Sequence, residues 1–451
     1  MAQQPVGSAS RNDGAIGKII WRIMPFLVLC DVISVVDRFN IGFAKLQFMK
    51  DLSLNEAVVG IAASAFYVGY TLCEIPSTLM MQKLGMRATM LRIMGLWGLV
   101  TVALAFVGSK YHLYTLRFLL GVAEAGFMPG VMLYLTYWIP ERYSGRVASI
   151  FLLALPISGV ISGPISGLIL DGMGGVWGLH GWQWLFILEG APSVVLGVIA
   201  YYYLDDRPKS ANWLTEEEKN DVEQELTAEQ LKASKGHSSF SRIFRNPQIY
   251  GLSAVYFCFY ATLNAMTIWP PSILKFAGVQ SVTEIGLRSS ALSGAAVVGM
   301  ILIGWNSDRL NERRWHLIAC CLVAGAAFMA LPLGAGNPNL TTLLLAVASI
   351  GIYSYFGLFW TIPRTRLDKE AAAGGIAVIT TVGAIGSIIS PTFVGEMREI
   401  TGSFYGALGA LGATFCLSTV VLYFCSGTPR KRIERKLRSA PNVEISHRRP
   451  S

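Results

Sequence analysis

Residues 32–44 read V-I-S-V-V-D-R-F-N-I-G-F-A, with Asp37 and Arg38 side by side in an otherwise apolar run, and residues 117–130 read R-F-L-L-G-V-A-E-A-G-F-M-P-G, with Arg117 and Glu124 seven apart. A charge at the centre of a membrane helix costs about 2.5 to 3.5 kcal/mol, so each of the four must find a partner or a wet cavity. The chemistry open to them is narrow. A carboxyl gains and loses a proton, whereas a guanidinium stays charged and offers a fork matched to a carboxylate. Seven residues of helix turn through about 700°, which sets Arg117 and Glu124 on one stripe, while Asp37 and Arg38 stand about 100° apart and face different partners. Asp31 precedes Arg38 by seven and shares its stripe, where it either shields the arginine or adds a titratable site. Beside the functional reading stands a structural one, in which these charges staple the first span to the fourth.

Positioning such groups takes helices in lipid. Of 451 residues, 53% are hydrophobic and 14% charged, more apolar than a soluble core requires. Apolar stretches long enough to span about 30 Å of hydrocarbon fall at 19–44, 57–81, 89–109, 113–138, 146–170, 183–204, 249–274, 286–306, 316–336, 340–361, 374–395 and 404–425, which predicts an all-α membrane protein of twelve transmembrane helices. β-Barrel alternation is absent. If the first span ends near Ala44 and the fourth begins near Leu113, helix rise puts Asp37 about 10 Å and Arg117 about 6 Å below one surface, close enough to pair.

With both termini and the even-to-odd connections on one side, 29 of the 37 Lys and Arg residues gather there, so the termini are expected to be cytoplasmic and the protein to be a multi-pass protein of the cell (inner) membrane. The net charge of +9 then reflects topology and attraction to lipid headgroups, not nucleic acid. The polar first 18 residues show no cleavable signal, which leaves the first span as the targeting signal. The seven cysteines lie in or at the ends of spans with neither disulfide nor zinc spacing, and the five histidines are scattered. No nucleophile–base pair or phosphate loop supports an enzyme.

The chain divides into a cytoplasmic N-terminus 1–18, a six-helix half 19–204, a linker 205–248, a second half 249–425 and a basic tail 426–451. In the linker, Thr215 and Glu218 form a capping box for a short helix. The halves echo one another: W-I-P at 138–140 answers W-T-I-P at 360–363, S-G-P-I-S-G at 162–167 answers I-S-P-T at 389–392, and M-M-Q-K-L-G-M-R at 80–87 answers W-N-S-D-R-L-N-E-R-R at 305–314. Parallel repeats of this kind imply a bundle that rocks about a site near the midplane. A sensor would need a larger soluble segment than the linker.

These residues resemble the major facilitator superfamily over essentially the whole chain. G-W-N-S-D-R-L-N-E-R-R looks like its loop signature, with Gly304, Asp308 and Arg309 in place. In the first-half copy, with Lys83 and Arg87, Gln82 stands where the signature has an acid, which weakens the expected gate latch. Gly159, Gly163, Pro164 and Gly167 resemble the glycine-proline motif of the fifth span, where small residues allow close helix approach. D-R-F-N-I-G-F-A, R-F-L-L-G-V-A-E-A-G-F-M-P-G, L-T-Y-W-I-P and G-W-Q-W-L-F-I-L-E-G are similar to the anion:cation symporter family, with bacterial carriers for tartrate, phthalate, 4-hydroxyphenylacetate and sugar acids.

The resemblance implies proton-coupled uptake of a small organic carboxylate by alternating access. Asp37 and Glu124 would carry protons, and Arg38 and Arg117 would meet the substrate carboxylate. Tyr70 would hydrogen-bond the substrate and Trp360 would wall it from the second half. Tyr67, Asn264, Trp269, Tyr353, Tyr355 and Phe359 either line the cavity or pack. Glu74 and Glu189 are expected to be structural, near a membrane face. No cofactor or metal is expected beyond the coupling proton; the partners are substrate, protons and lipid, with the protein a monomer. An organic-anion exchanger or drug exporter on the same fold is the rival.

Overall fold

The computed structural model describes residues 6–233, 247–362 and 369–425, so the basic tail, the end of the linker and Arg364 lie outside it. In chain order the helices are α1 (Val6–Asp51), α2 (Glu56–Leu104), α3 (Lys110–Glu124), α4 (Phe127–Leu135), α5 (Glu141–Leu152), α6 (Ala154–Gly172), α7 (Gly181–Tyr203) and α8 (Glu216–Ala233). They continue as α9 (Pro247–Ile268), α10 (Pro270–Phe276), α11 (Val282–Arg309), α12 (Arg314–Ala330), α13 (Pro338–Phe359), α14 (Lys369–Thr401) and α15 (Tyr405–Cys425).

Eleven helical stretches among the described residues are long and apolar enough to cross a membrane. One of them, α2, has 49 residues. At 1.5 Å per residue it is about 74 Å long, more than twice the hydrocarbon thickness, so it must hold two crossings. The break falls at Gly85, whose φ of 81° lies in the left-handed region. A Cβ there would sit 2.5–2.7 Å from the carboxylate of Asp206. Twelve crossings result.

Two boundaries differ from expectation with consequences for the site. Helix α1 continues past Ala44 to Asp51, because Lys45 is buried instead of starting a loop. The fourth span is divided at Gly126 (φ 84°), where a Cβ would meet Ser77 Oγ at 2.5 Å, so α3 ends directly on Glu124. Pro129 lies in the first turn of α4, where its missing N–H costs no helical bond.

The capping box forms, with Glu218 N donating to Thr215 Oγ1 (3.2 Å) and Thr215 N to Glu218 Oε2 (3.0 Å). Helix α8 then lies against the start of α1 through Lys18 and Glu218, and against α5 through Arg142 and Glu225 (3.0 Å).

Candidate functional site

The charges of α1 and α3 meet, but in a different pairing from the one depth suggested. Arg38 Nη2 lies 2.6 Å and Nε 2.7 Å from Glu124 Oε1, which also accepts from Ser34 Oγ at 2.7 Å. Asp37 turns away: Asn40 Nδ2 donates to its Oδ1 at 2.6 Å and Thr101 Oγ1 to its Oδ2 at 2.8 Å. The longer α1 explains the change. Measured from Asp51, Arg38 is about 20 Å deep, level with Glu124 at about 21 Å from Lys110. Arg117 is about 10 Å deep and makes no ion pair with Asp37.

Arg117 is 3% exposed, and its Nε and Nη1 have no acceptor. Its guanidinium stands 5.0 Å from the Phe66 ring, whose centroid is also 5.9 Å from the Arg38 guanidinium. Glu124 is fully buried and its Oε2 is likewise unpartnered. Arg38, by contrast, keeps 27% of its side chain exposed in mid-span. It lies 5.3 Å from the Tyr70 ring, and Glu74, Tyr67 and Tyr260 share its electrostatic surroundings. Glu74 therefore faces the space beside Arg38. Asp31 is buried within electrostatic reach of both Arg38 and Glu124.

The second half contributes aromatic walls. Trp360 sits 5.0 Å from Tyr256, which is 4.8 Å from Tyr260. Tyr353, Tyr355, Phe359 and Trp269 are buried. Asn264 gives its amide hydrogens to Tyr260 O (2.8 Å) and Ser387 Oγ (2.9 Å), so only its carbonyl oxygen is left for another partner. Glu189, expected near headgroups, is instead 6% exposed inside the first half and accepts from Ser166 Oγ at 3.0 Å.

The halves are bonded together at the end of the bundle away from the chain termini. Lys275 Nζ donates to Leu46 O (3.1 Å), Glu56 N to Glu399 Oε1 (3.1 Å), Thr283 Oγ1 to Asp171 Oδ2 (2.7 Å), and Ser64 pairs with Thr392 (2.7 Å). Gly163 and Gly286 bring α6 and α11 into direct backbone contact. Lys45, wholly buried, is 3.1 Å from Glu56 and 3.7 Å above the Trp269 ring of the other half. Its one sequence signal is its place seven residues after Arg38, on the same stripe. Between the halves at this level, Phe39, Phe43, Gly159, Met266, Thr267 and Tyr353 line a cavity of about 20 Å³, room for roughly one water. The bundle is therefore shut here.

In the loop motifs, Asp308 pairs with Arg313, while Arg309 lies 5.6 Å from the Trp305 ring. Gly304 has open space beside it. Where Gln82 lacks an acid, Asp206 supplies one from beyond α7: its Oδ1 accepts from Arg87 N at 3.1 Å, and Arg87 Nε reaches Tyr201 O at 2.7 Å. Lys83 lies exposed on the rim of a cavity of about 240 Å³ that it shares with Asp206 and Arg207.

Two packed helical halves closed at one end, with a paired and partly wet charge site at mid-depth, define a multi-pass membrane transporter. The chain belongs to the Major Facilitator Superfamily, whose model matches residues 27–391; its members are transporters, not enzymes. It is 39% identical to "Putative metabolite transport protein NicT" of Pseudomonas putida, covering 93% of this chain and 95% of that one. It is 40% identical to a "Putative tartrate transporter" of Agrobacterium vitis (93% of each chain), and 33% identical to the "Quinolone resistance transporter" of Acinetobacter baumannii (95% and 98%). A solved structure of a bacterial homologue of the human lysosomal transporter Spinster matches with a TM-score of 0.67 at 19% identity, covering 93% of this chain and 98% of that one, and shares the fold.

Proposed function

We propose that the chain imports a small organic carboxylate together with protons, by alternating access. The observation that carries this reading is the Arg38–Glu124 pair, at mid-depth, exposed on the arginine side only, with Arg117 buried beside Phe66 and its Nε and Nη1 without an acceptor. While Glu124 is ionised it occupies the Arg38 fork. A proton on Glu124 neutralises it and releases the fork to a substrate carboxylate, so anion and proton enter as a unit. Arg117 supplies the second fork; Tyr70 and Trp360 fit as the hydrogen-bonding and walling groups. The tartrate-transporter relative supports a hydroxy-acid substrate class.

The positive-inside bias supports cytoplasmic termini, which makes the bonded end the outer gate and the structure an inward-facing one. A monoanion moving with one proton carries no net charge, and each pH unit then supplies about 1.4 kcal/mol. A second proton makes import electrogenic and adds about 2.3 kcal/mol per 100 mV.

The test is a thermal-shift screen of purified protein against L-tartrate, phthalate, 4-hydroxyphenylacetate and sugar acids. A carboxylate that stabilises the wild type and fails to stabilise Arg38→Ala is expected; stabilisation by apolar cations alone contradicts the reading. A second reading, an organic-anion exchanger or drug exporter, draws on the quinolone-resistance relative. It predicts counterflow without proton coupling, or efflux of apolar cations, against which the two arginines Arg38 and Arg117 argue.

A further inference from the structure

A second group of buried polar side chains lies in the first half, within electrostatic reach of Glu124 but hydrogen-bonded to neither member of the Arg38–Glu124 pair. Asp37 from α1 accepts from Asn40 and Thr101, and Glu189 from α7 accepts from Ser166 of α6. Asn40 lies between the two carboxyls, which are within electrostatic reach of each other. Asn40 Oδ1, Glu189 Oε2, Ser162 Oγ and Ser193 Oγ are all buried and without a partner. Asn40 is 0% and Glu189 6% exposed. The charged groups that face the pair are Arg117 and Glu124, both from α3, while α2 and α6 present the hydroxyls of Thr101 and Ser166.

Charge balance points the same way. The interior of this half holds four carboxyls, Asp31, Asp37, Glu124 and Glu189, against two guanidiniums, Arg38 and Arg117. Lys45 and Glu56 cancel one another. Ionised carboxyls without a counter-charge do not persist in a water-poor interior, so positive charge must come from elsewhere. Both Asp37 oxygens accept from N–H and O–H groups, an arrangement that suits an ionised carboxylate and leaves Glu189 as the member of the pair to carry a proton. Glu189 accepts only from the neutral Ser166 hydroxyl, whereas Glu124 has the Arg38 guanidinium 2.6 Å away, so Glu189 is the carboxyl that lacks a counter-charge.

We infer that Asp37 and Glu189 form a second protonation site, separate from Arg38–Glu124, in which Glu189 holds a proton while the outer end is shut and Asn40 links its state to Asp37. Glu189 is a positioning residue for the coupling acid Asp37. The consequence for coupling rests on the transport reading above, but the site does not. A proton stored there provides a route to a second proton per cycle.

Infrared difference spectroscopy on the full chain in lipid nanodiscs, without substrate and stepped between about pH 5 and pH 9, reads protonated carboxyls by their C=O stretch. The expected result is that, among the protonated-carboxyl bands of the wild type, one is lost in Glu189→Gln. In Asn40→Ala the titration midpoint of a remaining carboxyl should move by about one pH unit or more. Identical wild-type and Glu189→Gln spectra at every pH would overturn the proposal, because Glu189 would then be ionised. Disappearance of the band on adding NaCl at constant pH would also overturn it, in favour of a sodium site. Should Glu189→Gln not fold, Ser166→Ala, which removes the hydroxyl at Oε1, must shift the frequency of the band; an unshifted band again counts against the proposal. No substrate is present, so failure here leaves the carboxylate reading standing, and the converse holds.

Discussion

At the scale of residues, Arg117 separates a functional account from a structural one. A guanidinium that staples helices loses stability when removed, whereas a buried guanidinium with unpartnered Nε and Nη1 carries a desolvation cost without full compensation. Arg117→Met is expected to lose carboxylate binding with only a small fall in Tm, because Nε and Nη1 have no hydrogen bond to lose; a large fall in Tm with binding retained would favour the staple. Arg117→Lys keeps the charge but loses the fork, and affinity should drop about tenfold or more, roughly 1.4 kcal/mol, as titrated by ligand-induced tryptophan fluorescence. The four ionisable positions were visible in sequence because charges in apolar runs stand out. Their partners were not, since pairing depends on where α1 ends. Lys45 reads as the start of a loop, and its interior place is set by Glu56 and by the Trp269 ring, which stands between α9 and α10, 224 positions further along.

Among the elements, the hydropathy of each span is a local property and was legible, whereas the breaks that shape the site are set by contacts across the fold. Gly85 turns where Asp206 comes close, and Gly126 turns where Ser77 does, so neither break shows in periodicity alone. Glu189, expected near headgroups, was misplaced for the same reason: Ser166, on another helix, gives it a buried partner. At the closed end, α6 meets α11 backbone to backbone at Gly163 and Gly286. Gly163→Val adds bulk against backbone, so it should hold that end open and raise external thiol labelling of Thr267→Cys several-fold over the same substitution alone. Equal labelling would show that the contact does not control closure. Helix α8 should also respond to pH. The Glu218 carboxyl is held below its usual range, first by its hydrogen bond to Lys18 and then by Thr215 N–H. A lowered value in the docked state means that docking is favoured above the free glutamate range and lost as pH falls through the docked value. Hydrogen exchange across Glu216–Ala233 should therefore quicken on acidification, and less so in Lys18→Gln.

For the whole molecule, the buried ionisable groups of the site lie in the first half, and the second half faces it with the aromatic cluster of Tyr256, Tyr260 and Trp360. If the halves rock as proposed, the bonds between them at the closed end break in each cycle, and the Lys45 ammonium then loses the Trp269 ring while keeping Glu56 of its own half. Lys45→Met should leave the fold intact and shift the resting population toward the outward-open state, read as a changed distance distribution between spin labels at that end. The central claim, that Glu124 exchanges a proton for the substrate at Arg38, is tested most directly by following labelled carboxylate and external pH together in proteoliposomes. Wild type should accumulate substrate with alkalinisation outside, and Glu124→Gln should show neither pH-driven accumulation nor proton flux while still exchanging substrate. Accumulation and alkalinisation unchanged in Glu124→Gln would contradict the account.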